Sequence, residues 1–108
     1  MCKIKIATDF SKTPGARHKE EGAYPGDEFR DNILIPKYKE AVSNNRKLEI
    51  DLDGCYGYAT SFLEESFGGM VRALKTRGTL NNIEIISTED SSLKKLIYDY
   101  VKEAEERL

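Results

Sequence analysis

The sequence predicts an α/β domain, a small sheet with helices packed mainly on one face. Three observations lead there. Short segments of apolar–polar alternation recur at residues 2–6, 47–53 and 83–86, the pattern of half-buried strands. Between and after them, apolar residues recur at helical spacing. The alternation within each strand commits one sheet face to a core and leaves the other polar, so burial is one-sided.

The elements follow in order. Cys2, Ile4 and Ile6 alternate with Lys3 and Lys5 as a first strand. Residues 11–27 form a polar loop punctuated by Pro14-Gly15, Gly22 and Pro25-Gly26. From Asp27 a helix places Phe29, Ile33, Leu34, Tyr38, Ala41 and Val42 on one side and ends at Ser43-Asn44-Asn45. Pro36 predicts a kink or short break within it, because it lacks an N–H and disfavours helical dihedrals at Ile35. The second strand, 47–53, alternates Leu48, Ile50 and Leu52 with Glu49, Asp51 and Asp53. A Gly- and Tyr-containing turn then leads into a helix at Thr60-Ser61, with Leu63, Phe67, Met70, Val71 and Leu74 as its stripe, ending near Arg77-Gly78. Ile83, Ile85 and Ile86 mark the third strand. Thr88-Glu89-Asp90 reads as a capped helix start with acids in its first turn. Leu93, Ile97, Tyr100, Val101, Ala104 and Leu108 form the last stripe.

At 108 residues the chain is expected to be a single domain spanning residues 1–108. A net charge of −2 is too small to argue for nucleic acid or an anionic membrane as partner. No apolar run approaches the ~20 residues needed to cross a bilayer, and the first residues show no signal-peptide pattern, so a cytoplasmic location is expected. Cys2 and Cys55 fit a reducing compartment. With one histidine and no C-x-x-C, the two read as small, mostly buried thiols rather than metal ligands. No cofactor or metal is expected.

The most informative segment is the start of the central helix. Thr60 and Ser61 present hydroxyls where a helix N-terminus emerges from the carboxyl end of a strand, a place that stabilises a phosphoryl group. Ser61-Phe62-Leu63-Glu64 also matches a capping box, with Ser61 and Glu64 bonding reciprocally, worth ~1 kcal/mol. Glu64 and Glu65 point about 100° apart on a helix and are expected not to converge, one capping and one solvated. Gly68-Gly69 lies within the helix, where each glycine costs about 0.8–1 kcal/mol relative to Ala, so a neighbouring backbone is expected to approach closely. Arg17-His18-Lys19 is the basic cluster of the first loop. It reads foremost as a solvated loop, with an anion site as the sharper reading. Tyr24, Tyr56 and Tyr58 fall in loops, where tyrosines anchor partner interfaces or cap sheet ends. No G-x-S-x-G elbow surrounds Ser61, so a triad with His18 and Asp51 or Asp53 is not expected.

The run from Gly57 to Arg72, with its Ser61-Phe-Leu-Glu-Glu centre and the following Phe67-Gly-Gly69, resembles the STAS-like family of unknown function DUF4325. So do Pro14-Gly15-Ala-Arg17, Gly22, Tyr24-Pro-Gly26, Phe29-Arg30 and Leu34-Ile-Pro36. The resemblance covers roughly residues 8–75 and implies a STAS-like fold. It is the fold of anti-sigma-factor antagonists, small cytoplasmic proteins that bind an ATPase-type serine kinase and are switched by phosphorylation at a helix start. Laid on this sequence, that phosphosite falls at Thr60-Ser61. Ala59 stands where the antagonists usually carry Asp, and Phe62 where they carry Gly.

Together these readings point to a non-enzymatic, regulatory protein–protein interaction module with Ser61 and Thr60 as phosphoacceptors. Arg17, Tyr56 and Tyr58 are its expected partner- or anion-binding residues, and an ATPase-type serine kinase or anti-sigma factor its expected partner. The alternative is a small-ligand or nucleotide-binding domain with an anion site at the same helix start.

Overall fold

The computed structural model describes residues 2–108. Its sheet has three parallel strands in the order β1 (Lys3–Lys5), β2 (Leu48–Asp51), β3 (Ile83–Ile86). The register aligns Ile4 with Ile50 and Ile50 with Ile85. These isoleucines, with Leu48 and Ile83, are buried on one face. On the other face Lys3 pairs with Glu49 at 3.2 Å and Lys5 with Asp51 at 3.3 Å. Parallel sheets are usually covered on both sides; here the strands alternate except at Ile86, half-buried opposite Asp51, and the helices pack on the apolar face.

After β1 the chain turns through a single helical turn, α1 (Ile6–Asp9). Asp9 reaches back to accept the Lys5 backbone N–H at 2.8 Å, and the Thr8 hydroxyl donates to the Lys5 carbonyl at 3.3 Å. The first loop contains a short 3-10 turn at Lys19–Glu21, held by Glu21, whose carboxylate accepts the N–H groups of Arg17 and His18 at 3.1 and 3.0 Å.

Two helical runs cover the sheet, and each contains a wide π turn. The first is α2 (Gly26–Phe29), a π turn at Arg30–Leu34, and α3 (Ile35–Ser43). The second is α4 (Thr60–Leu63), a π turn at Glu64–Gly68, and α5 (Gly69–Leu74). Pro36 does not break the first run as the sequence predicts. Leu34 and Ile35 keep helical dihedrals, and the disruption is absorbed by the widened turn just before the ring. Pro36 then lies in the first turn of α3, where a missing N–H costs little.

The runs meet closely at Gly26: a Cβ there would lie 2.8 Å from the Phe62 carbonyl oxygen. The last helix, α6 (Ser92–Glu106), begins later than the sequence predicts. The N–H groups of Thr88 and Glu89 are held by the Asp53 carboxylate, both at 3.0 Å, and Asp90 accepts the Ser92 N–H at 3.1 Å from outside the helix. Phe29, Leu34 and Tyr38 from the first run, Phe62, Phe67 and Met70 from the second, and Ile97 and Val101 from α6 complete the core. Among the described residues no helix is long and apolar enough to cross a membrane.

Candidate functional site

The loop after β2 carries Tyr56 and Tyr58, and the helix start at Thr60-Ser61 that follows, to the carboxyl end of the parallel sheet, the end where open α/β folds place their ligands. Tyr56 is 83% exposed, the most exposed large apolar residue described. Thr60 is exposed and Ser61 half-buried. The residue preceding the helix is Ala59, extended at φ −71°, ψ 138°, and it supplies no side-chain cap. The expected capping box is therefore absent. Ser61 is the second residue inside the helix rather than its cap, so its hydroxyl is not placed to accept the Glu64 N–H. The Glu64 carboxylate is turned to arginines instead.

Tyr58 differs from Tyr56. Its ring packs against Phe62, with centroids 6.2 Å apart, and its hydroxyl donates to the Leu52 carbonyl at 2.7 Å and lies 3.0 Å from Cys55 Sγ. Burial pushes the Tyr58 phenol well above its ordinary range and raises the Cys55 thiol, opposed by the Tyr58 hydrogen bond. Tyr58 thus ties the loop to the strand end instead of presenting a ring to solvent. Both cysteines are half-buried. A cleft of about 250 Å³ opens beside Cys55, lined among others by Asp53, Tyr56, Tyr58 and Glu89. Its acids already serve the fold: Asp53 accepts the Thr88 hydroxyl at 2.5 Å, and Glu89 accepts the Gly54 N–H at 2.8 Å. The Thr88 bond foremost holds the Asp53 carboxyl below the usual range.

Arg17 folds over the central helix, but its charge is occupied. One guanidinium nitrogen contacts both Glu64 and Glu65, the latter at 3.2 Å. The two acids converge on Arg17 against the sequence expectation, because the long arginine enters between them where the turn is widened. The pairing continues in both directions. Glu65, 8% exposed, also pairs with Arg30, which holds Asp31 at 2.7 Å. Glu64 also holds Arg72 at 2.6 Å. The Arg72 bond foremost lowers the Glu64 carboxyl, and the Glu64 bond foremost raises Arg17. His18 stands 3.4 Å from Asp27, whose second carboxylate oxygen is buried without a hydrogen-bond partner among the described residues.

This chain explains the glycine pair. A Cβ on Gly68 would meet Glu64 Oε2 at 2.5 Å, and one on Gly69 would meet Arg30 Nη1 at 2.9 Å. The approaching groups are salt-bridged side chains, where the sequence pointed to a neighbouring backbone. Arg30, Arg72 and the buried role of Glu65 were missed. A signal existed for one of them: Glu64, Gly68 and Arg72 are spaced four apart on one helix face, and the residue without a side chain lets the two charges meet across it.

The family model described as a STAS-like domain of unknown function (DUF4325) matches residues 25–93, and the chain belongs to that family. The match includes β2, β3 and both helical runs. No curated protein and no solved structure matches the chain.

Proposed function

We propose that this STAS-like domain is a non-enzymatic regulatory module of the cytoplasm that binds a protein partner through Tyr56 and the helix start at Thr60-Ser61. The observation that carries the reading is the pairing of an 83% exposed tyrosine with a helix start that lacks a side-chain cap. An exposed aromatic is a typical interface anchor. Uncapped N–H groups at a helix start attract an anion supplied from outside. A phosphoryl group on Ser61 or Thr60 would add about two negative charges to this surface and so switch partner affinity. By analogy with the anti-sigma-factor antagonists that the sequence resembles, the partner is an ATPase-type serine kinase or an anti-sigma factor.

Arg17 argues against the small-anion alternative, since its guanidinium is held by two carboxylates. Affinity capture from the native cell with four baits tests the proposal: wild type, Tyr56→Ala, Ser61→Asp and the remote Lys37→Ala. A protein retained by wild type and Lys37→Ala but lost from the other two supports it. Equal retention on all four, or no specific retention, refutes it.

A further inference from the structure

The largest cavity described, about 530 Å³, lies between the second helical run and the C-terminal end of α6. It is about twice the volume of the strand-end cleft, and neither Tyr56, Thr60 nor Ser61 lines it. Three cationic residues border it: Arg72, Lys75 and Arg107. Arg72 is compensated by Glu64, whereas Lys75 and Arg107 form no ion pair among the described residues. Both follow the C-terminal ends of helices, where a cation complements the dipole. That accounts for each charge separately, but not for three cations around one cavity of ligand size. Lys75 carries a second oddity. It holds a left-handed conformation, φ 53°, ψ 42°, at a position where glycine or asparagine is usual. A strained lysine at the cavity rim is a pointer to function.

We infer that this groove binds a small organic phosphomonoester. A phosphoryl dianion offers strong acceptor oxygens to the two cations without an ion pair among the described residues, Lys75 and Arg107, and to Arg72 only in so far as it leaves Glu64 and Glu65, which hold it at 2.6 and 4.0 Å. Ala104 and Leu108 supply an apolar wall for the organic body, and Glu103 an acceptor for a hydroxyl or amino group on it. Glu64 is the internal competitor, since it holds Arg72 through two contacts at 2.6 and 3.2 Å. It also holds Arg17, so occupancy of the groove is linked to the first loop.

An amide NMR titration with AMP, with inorganic phosphate and adenosine as comparison ligands, tests this. Saturable shifts are expected at Lys75, Ala104 and Arg107 with AMP, weaker binding of phosphate, and none of adenosine. Lys75→Ala and Arg107→Ala, both at exposed positions, should each weaken AMP binding about tenfold, while Glu64→Gln should tighten it by releasing Arg72. Absence of saturation, shifts confined to Thr60 and Ser61, or wild-type affinity retained in both alanine variants would overturn the site. Phosphate binding as tightly as AMP would overturn the organic body. None of these outcomes depends on partner binding at Tyr56.

Discussion

Gly69 lies where a side chain would strike Arg30: a Cβ there would stand 2.9 Å from Nη1 and 3.1 Å from Cδ of that arginine. The missing side chain lets Arg30 of the first helical run reach Glu65 of the second. Helix propensity and ionic packing thus oppose each other at one position, and packing prevails.

Gly69→Leu and Gly68→Leu are therefore expected to lose about 1–3 kcal/mol by overpacking, beyond the ~1 kcal/mol gained in propensity. Gly26→Ala should cost more than Gly68→Ala. At Gly26 the obstructing atom is the Phe62 backbone oxygen, whereas at Gly68 it is the end of the Glu64 side chain, which can swing aside. Urea midpoints of the four variants check this, and a stabilised Gly26→Ala would contradict the close packing of the two runs.

The helix start yields a pair of opposite expectations. Ser61 is no cap, so Ser61→Ala should change stability by less than about 0.5 kcal/mol. Ala59 already holds the extended dihedrals of a cap residue, so Ala59→Ser should stabilise by roughly 0.5–2 kcal/mol. Thermal unfolding of the two single variants decides between this arrangement and a capping box, which requires the larger loss at Ser61.

Acid should unfold the protein in part through Glu64, whose carboxyl is held low by Arg72 and then Arg17. A depressed carboxyl contributes stability that is present above its unfolded pKa, about 4.3. That contribution is lost as pH falls through the lower folded value. Glu64→Gln is expected to be less stable than wild type at neutral pH, and to lose less stability on acidification below about pH 4.3. Because the pair is partly open to solvent, the difference should be modest and should shrink in salt. Denaturant titrations at several pH values, at low and high ionic strength, measure both effects.

The strands and the one-sided sheet were legible because they rest on alternation: Leu48 and Ile50 against Glu49 and Asp51 admit one register of faces. The π turns were not. Each adds one residue to a helical turn, a change visible in hydrogen bonds such as Ile35 N–H to Arg30 O and without a signature in composition. Convergence of Glu64 and Glu65 escaped for a related reason. Helical geometry fixes where two side chains point but not whether a long arginine from a loop will enter between them. Ser61 matched a capping motif whose pattern says nothing of where the helix begins, and the two-residue offset from the cap position at Ala59 removes the motif's geometry.

Asp9, fastened to the Lys5 N–H at the outer margin of β1, has a consequence for assembly. A free strand margin is a template that another chain can copy by hydrogen bonding. A carboxylate already seated on that N–H, with the Thr8 hydroxyl on the neighbouring carbonyl, leaves an incoming strand without its donor and facing a negative charge. The carboxyl end of β1 therefore carries its own stop signal, which shortens the stretch of margin that another copy could pair with.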